Sequence, residues 1–429
     1  MRRCDFGSVL LVLILSGCSL VEPGAGSGSS TVPAVRAKLD SSSIVLRTLY
    51  NFQGQPDGAD PQSSLFKYSV CTDKCSQWLF GTTSAGGTNN AGTIYSLYTP
   101  NVTYGTFSEE VLLSFTSSET GSDPTSSVFR SKYGTLFATA SQGGTHDKGT
   151  VVKFKDQTVV LSFDGHDGAT PTSGLTPEVR NGAYQNTYYA TTFAGGGHER
   201  GAILAIRPST NKFSPKVLYS FNGASDGAHP NSQLSTFGSA HPYFGTTAGS
   251  KSAAATVYSF VPNQGLTTVY TFKNSKEGAT PTGVYATPLT YGKPLLIFGT
   301  TFTGGSSGYG ILYELKPTGS KYTKVTLHTF AGGKADGAYP QGPPTSPGYN
   351  PAALYGVTAK GGSHNCGTVF RFDLSSEMYA VLYSFKCGKD GAYPEAPLTA
   401  TTGSLIGTTS AGGTANNGTV FLFKAPGTL

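Results

Sequence analysis

Leu382-Tyr383-Ser384-Phe385, Asp390-Gly391-Ala392-Tyr393-Pro394, Leu405-Ile406-Gly407-Thr408-Thr409, Gly412-Gly413 and Gly418-Thr419-Val420-Phe421 follow one another in a unit that the whole chain repeats. Seven aromatic segments of the first type end at Phe52, Phe115, Phe163, Phe221, Phe272, Phe330 and Phe385. They recur about every 55 residues, and a period near 50 built from short strands is the signature of a β-propeller. Strand A follows the DGAxP turn, strand B carries GTT, strand C is the GTVF segment and strand D is the aromatic one. Glycine inside strand B predicts a close approach of backbones, expected where the blades crowd near the axis.

The ends of the chain complement each other. The repeats begin with a D strand at 43–52 and finish with a C strand at 418–423. The N-terminal strand is therefore expected to complete the last blade and close the ring, which leaves no open edge. The predicted architecture is all-β, a seven-bladed β-propeller of four-stranded blades. The blades span 61–115, 124–163, 171–221, 230–272, 281–330, 340–385, and 394–424 joined by 43–52. An open β-solenoid would not explain the complementary termini.

The unit, written FxxxxDGAxPxxxL…LYGTTxxGGxxxxGTVF, resembles the choice-of-anchor tandem repeat GloVer-containing family, named for Gloeobacter and Verrucomicrobia. The resemblance covers 43–424. It implies an exported or surface-attached bacterial repeat protein, and it brings no activity, ligand or catalytic residue. Three copies depart from the pattern: Gly121-Ser122-Asp123-Pro124, Ala248-Gly249-Ser250-Lys251 and Glu277.

The N-terminus carries its own signal. Arg2 and Arg3 precede an apolar run, Val9–Leu15, that is too short to span a bilayer. Leu15-Ser16-Gly17-Cys18 resembles a bacterial lipobox, so residues 1–17 read as a lipoprotein signal peptide and Cys18 as the lipid-attachment site. Ser19, in place of an aspartate, favours the outer membrane. Residues 18–42, rich in Gly, Ser, Pro and Val, read as a flexible tether. The expected location is the cell envelope, with the lipidated N-terminus as the membrane contact and the body a monomer.

Cys4 leaves with the signal, so Cys71, Cys75, Cys366 and Cys387 remain for disulfides in an oxidising compartment. Cys366 stands just before strand C of blade six and Cys387 just after its strand D. Antiparallel pairing brings those positions together, which leaves Cys71 to pair with Cys75 in the A–B loop of blade one. Cys-x₃-Cys without a second close pair is a poor zinc site.

Only 13% of residues are charged, about half the usual share of ~25%. The formal charge of +6 is spread thinly, with no basic cluster for a nucleic acid. Asp57, Asp123, Asp167, Asp226, Glu277, Asp336 and Asp390 are expected to ring one face. They read as turn acceptors rather than calcium ligands, because every blade needs a turn and none needs a metal. His146, His198 and His364 fall in the B–C loops of three separate blades, too far apart to share an ion. They and the adjacent Asp147 and Glu199 read as solvated.

No G-x-S-x-G, HExxH, P-loop or Rossmann fingerprint occurs, and no metal or cofactor is expected. The leading expectation is a non-catalytic binding module. Tyr243, Tyr309, Tyr339 and Tyr393 are its candidate ligand face, and an extracellular polysaccharide or a protein is the partner. The alternative is a polysaccharide lyase or glycoside hydrolase, whose two carboxylates need no local motif. A deep axial pocket with converging acids, His or Arg would favour the enzyme.

Overall fold

The computed structural model describes residues 45–71, 75–100, 106–180, 183–208, 212–237, 242–288, 295–347, 352–401 and 403–424. The signal at 1–17, Cys18 and the tether at 18–42 lie outside the described residues. Among those described there is no α-helix. Antiparallel sheets with neighbours in the order A-B-C-D form seven blades. Blade one, for example, is Phe66–Cys71, Cys75–Thr83, Thr93–Thr99 and Ser108–Ser114. In blade four the A segment pairs through two isolated bridges, Pro230 with Thr247 and Ser235 with Phe244. In blade seven, Val45–Asn51 pairs with Thr419–Lys424 as the fourth strand, and this closes the ring.

Each letter of the repeat has a partner, and most partners lie in the next blade. The glycine of GTVF packs beneath the proline of the following DGAxP turn: Gly92 under Pro124, Gly149 under Pro171, Gly201 under Pro230, Gly310 under Pro340, Gly367 under Pro394. At the closure Gly418 packs under Pro61 in the same way. A side chain on any of these glycines would overlap the proline ring, and φ there lies between 94° and 100°, a backbone conformation that glycine adopts without strain and other residues do not. The first threonine of GTT donates to a strand A carbonyl of the next blade. Thr82 reaches Ser126 at 3.0 Å, Thr191 reaches Ser232 at 2.9 Å, Thr300 reaches Gly342 at 2.7 Å, and Thr408 closes the circle on Ser63 at 3.4 Å. Blade six has Val357 at this position.

The strand B glycine has a different role from the expected one. The space beside it is filled by the aromatic residue of strand C in its own blade, not by a neighbouring backbone. A Cβ on Gly81, Gly245, Gly299, Gly356 or Gly407 would overlap Tyr95, Tyr258, Tyr313, Phe370 or Phe421, each its direct cross-strand partner. Blades two and three confirm the rule by compensation. There the pairs are Ala138 with Val152 and Ala190 with Leu204, so a methyl is gained where the ring is lost. The strand C ring then meets the strand D phenylalanine of the preceding blade edge-on: Phe52 with Tyr95, Phe221 with Tyr258, Phe272 with Tyr313, Phe330 with Phe370 and Phe385 with Phe421. Such pairs contribute about 0.5–1.5 kcal/mol beyond area burial. The buried hydroxyls of Tyr95, Tyr258 and Tyr313 have no hydrogen-bond partner, so the ring, not the hydroxyl, is what the blade uses.

Cys366 and Cys387 are bonded, with their Cα atoms 5.5 Å apart. The side chains of Cys71 and Cys75 lie outside the described residues, although their backbones pair directly at the end of the A–B hairpin. The bond joins residues 21 apart, and loop-closure entropy for that length amounts to about 3 kcal/mol. Cys366→Ser with Cys387→Ser is expected to lower the unfolding free energy by about that amount, measured by urea titration under non-reducing conditions.

Candidate binding face around the axial channel

Seven A segments surround a central cavity of about 530 Å³. Hydroxyls and amides are frequent in its wall, among them Ser126, Ser173, Asn231, Thr282 and Gln341, and Glu395 is the one carboxylate among the described residues that line it. Many of these groups are already engaged with the wall. Asn231 donates to the Pro281 carbonyl at 2.8 Å, and Thr399 donates to the Leu65 carbonyl at 2.9 Å. Ser64 and Ser127 hydrogen-bond across the seam between blades one and two. Burial pushes the Glu395 carboxyl up, and the nearby Asp60 charge pushes it further. Ser410 and Lys360 work against that rise.

The residue before proline in each DGAxP turn stands two positions ahead of a residue that lines the channel, as Asp60 does of Gln62 and Tyr393 of Glu395. All seven, Asp60, Asp123, Thr170, His229, Thr280, Tyr339 and Tyr393, have φ between 53° and 61°. The left-handed conformation costs a β-branched or bulky residue energy, so the surroundings must impose it. An inter-blade hydrogen bond does so: the N–H of Asp60 donates to Asn417, His229 to Arg200, Tyr339 to Tyr309 and Tyr393 to Cys366, at 2.8–3.0 Å. Backbone geometry is thus identical around the rim while the side chains differ. His229 stacks on Phe193 at 4.6 Å, Tyr339 tilts on Phe302 at 5.1 Å, and Lys360 lies 5.6 Å over the Tyr393 ring.

Of the four tyrosines expected to form a ligand face, three are here. Tyr339 and Tyr393 are rim positions, and Tyr309, 37% exposed, meets Tyr339 edge-on at 5.5 Å. Tyr243 is not on this face. It is 1% exposed in strand B of blade four and packs against Tyr189 between blades. Both faces of a blade are buried by neighbours, so strand alternation does not separate exposed from buried aromatics.

The turn carboxylates are held as turn acceptors. Asp57 accepts from the Tyr50 hydroxyl at 2.9 Å and the Gln53 N–H at 2.8 Å. Asp226, Glu277 and Asp390 repeat this with Tyr219, Tyr270 and Tyr383, and Asp336 with His328. Each carboxylate ties strand D to the turn that follows it. Asp123 is the exception to the expected ring, because it occupies the rim position. Thr120 takes the carboxylate's place, its hydroxyl accepting from the Thr116 N–H at 2.8 Å. Asp147 is likewise not simply solvated: it accepts from the Gly143 N–H at 2.9 Å. His146, His198 and His364 are exposed in separate loops, and no cluster of three metal-ligating residues occurs among the described residues.

A second carboxylate sits at the closing seam. Glu109, on strand D of blade one, lies 3.4 Å from the Tyr50 hydroxyl, which also donates to Asp57. One hydroxyl proton serves one carboxylate at a time, and the contact to Asp57 is the shorter. Burial, with Asp57 and Glu110 nearby, pushes it up to about 7 against the Tyr50 hydrogen bond. The folded state therefore binds a proton more tightly than the unfolded chain. This favours folding below the ordinary value of 4.5, and the benefit is lost progressively as pH rises to about 7. Glu109→Gln is expected to flatten the fall in urea midpoint across that window and to raise the midpoint above it.

The chain belongs to the Gloeobacter/Verrucomicrobia repeat family, whose model matches residues 27–188 and 285–429. No curated protein matches it. Solved structures with a similar fold include TolB from Acinetobacter baumannii, at 13% identity over 70% of this chain and 63% of that one, with a TM-score of 0.35. Puromycin hydrolase is similar at 15% identity over 82% of this chain and 50% of that one, TM-score 0.44. The β-propeller domain of Cps50 (Swd1) from Myceliophteria thermophila is similar at 10% identity over 84% and 99%, TM-score 0.44. This chain thus spans less than two thirds of the first two proteins.

Proposed function

We propose that the chain is a non-catalytic binding module of the bacterial cell envelope, held by a lipid on Cys18 and presenting its channel rim to an extracellular polysaccharide or protein. One observation carries this reading. Seven rim positions share one backbone conformation, and six of them the same inter-blade N–H hydrogen bond, yet they carry Asp, Asp, Thr, His, Thr, Tyr and Tyr. A scaffold that fixes the backbone and frees the side chain suits recognition. The channel wall adds neutral hydroxyls and amides rather than converging ionised groups.

The test is an array of immobilised glycans and envelope proteins probed with the purified protein, followed by Tyr339→Ala with Tyr393→Ala. Specific binding that the double variant loses supports the reading, and binding that it keeps contradicts the rim as the site. A second reading, glycoside hydrolysis, draws on Glu395, whose carboxyl is raised beside Asp60. Product release from a bound glycan, abolished by Glu395→Gln, would replace the binding reading with the enzymatic one. Lipidation is checked separately by labelling with an alkynyl fatty acid, which Cys18→Ser must abolish.

A further inference from the structure

Blade two is short. Its strands are Phe129–Arg130, Leu136–Ala140, Thr150–Lys153 and Thr158–Ser162, against blade one's longer four. Tight turns end them, with Gly134 N–H donating to Ser131 and Gln157 N–H to Phe154. Among the described residues, the face of blade one toward blade two is therefore covered along its inner part, where Phe80 meets Phe154. Beyond that cover, cross-strand register places Tyr68, Trp78, Tyr98 and Ser108 in one row across all four strands. Trp78 lies 5.9 Å from Tyr68 and 4.8 Å from Tyr98, ring centre to ring centre. Glu110 stands one alternation along strand D on the same face, and Arg130 lies over the Tyr68 ring at 4.9 Å. Trp78, Tyr98, Ser108 and Glu110 line a cavity of about 200 Å³.

We propose that this row is a saccharide subsite, taking the flat face of a β-linked pyranose on Trp78 and Tyr98 and its hydroxyls on Ser108 and Glu110. The occupant follows from the chemistry. Large aromatic rings present flat apolar area at low entropic cost, while the groups beside them are a hydroxyl and an exposed carboxylate. An apolar side chain of a protein partner would cover the rings and leave the Glu110 carboxylate desolvated without a donor, which is costly. A pyranose has C–H groups on its flat face and hydroxyl donors at its edge, so it satisfies both. The guanidinium of Arg130 marks the other end of the row with donors for ring or hydroxyl oxygens. The proposal rests on the reading of the chain as a binding module, but it puts the ligand on the side of blade one rather than at the channel rim.

Trp78 is the only tryptophan of the chain, so intrinsic emission reports on this place alone. The purified protein is titrated with cellohexaose, chitohexaose and, as a curved α-linked control, maltohexaose. The expected result is a saturable change in emission with a β-linked probe and none with maltohexaose. Glu110→Gln, at an exposed position, and Tyr98→Ala are each expected to weaken binding by about tenfold, and Tyr184→Ala on blade three to leave it unchanged. Absence of a saturable change with both β-linked probes overturns the subsite, as does equal binding of maltohexaose. Binding that survives Glu110→Gln and Tyr98→Ala but fails in Tyr393→Ala also overturns it, and leaves the rim reading standing.

Discussion

Gly245→Val is expected to destabilise the propeller by about 3 kcal/mol, near the upper end for overpacking a full core. The position is in strand B of blade four, directly opposite Tyr258, whose ring already fills the place a Cβ would take. Tyr258 is itself fully buried and is wedged edge-on against Phe221 of blade three at 5.3 Å, so it has nowhere to retreat. Even Gly245→Ala is expected to cost stability. Its Cβ removes conformational freedom from the unfolded chain, a gain of about 0.4–1 kcal/mol, but the steric term of about 1–3 kcal/mol is larger. Blade three already contains the compensated pair, Ala190 with Leu204. Gly245→Ala combined with Tyr258→Leu should therefore be more stable than the single changes predict, with a coupling of about 0.5–3 kcal/mol in a urea double-mutant cycle. Additive losses would show that the pairing is incidental.

Removal of the N-terminal strand is expected to have the other large effect. Phe52 is fully buried, meets Tyr95 of blade one edge-on at 4.9 Å, and donates its N–H to Gly418 at 3.1 Å. Phe52→Ala should cost about 3–5 kcal/mol, as for other large aromatic deletions. Deletion of 45–52 goes further, because it strips the outer strand from blade seven and leaves Thr419–Lys424 as a bare edge. An exposed edge strand pairs with other chains. Size-exclusion chromatography is expected to show concentration-dependent oligomers for the deletion and a monomer for the intact chain.

The sevenfold ring, the strand order and the closure were legible because an in-order repeat with complementary ends admits few other arrangements. The pairing of Cys366 with Cys387 followed from that topology alone. The role of each repeated letter was not legible, since the partner of Pro124 is Gly92 and that of Ser126 is Thr82, in a different unit each time. Asp123 was misplaced because Thr120 does a carboxylate's work with a hydroxyl, so the copy shows no acid where one is expected. Tyr243 was misread because a blade is buried on both sides. The rim was visible only as the variable letter of DGAxP. The row on Trp78 carries no repeat signal at all: it exists because the neighbouring blade is short.

Closure is best tested by a covalent link across it. Arg47 and Leu422 face each other in the register of the first and last strands. With Arg47→Cys and Leu422→Cys introduced, mild oxidation followed by peptide mapping should yield one disulfide between 47 and 422, formed within a single chain at every protein concentration. A bond formed only between chains, or no bond while the protein remains folded, would contradict a ring completed by its own N-terminal strand.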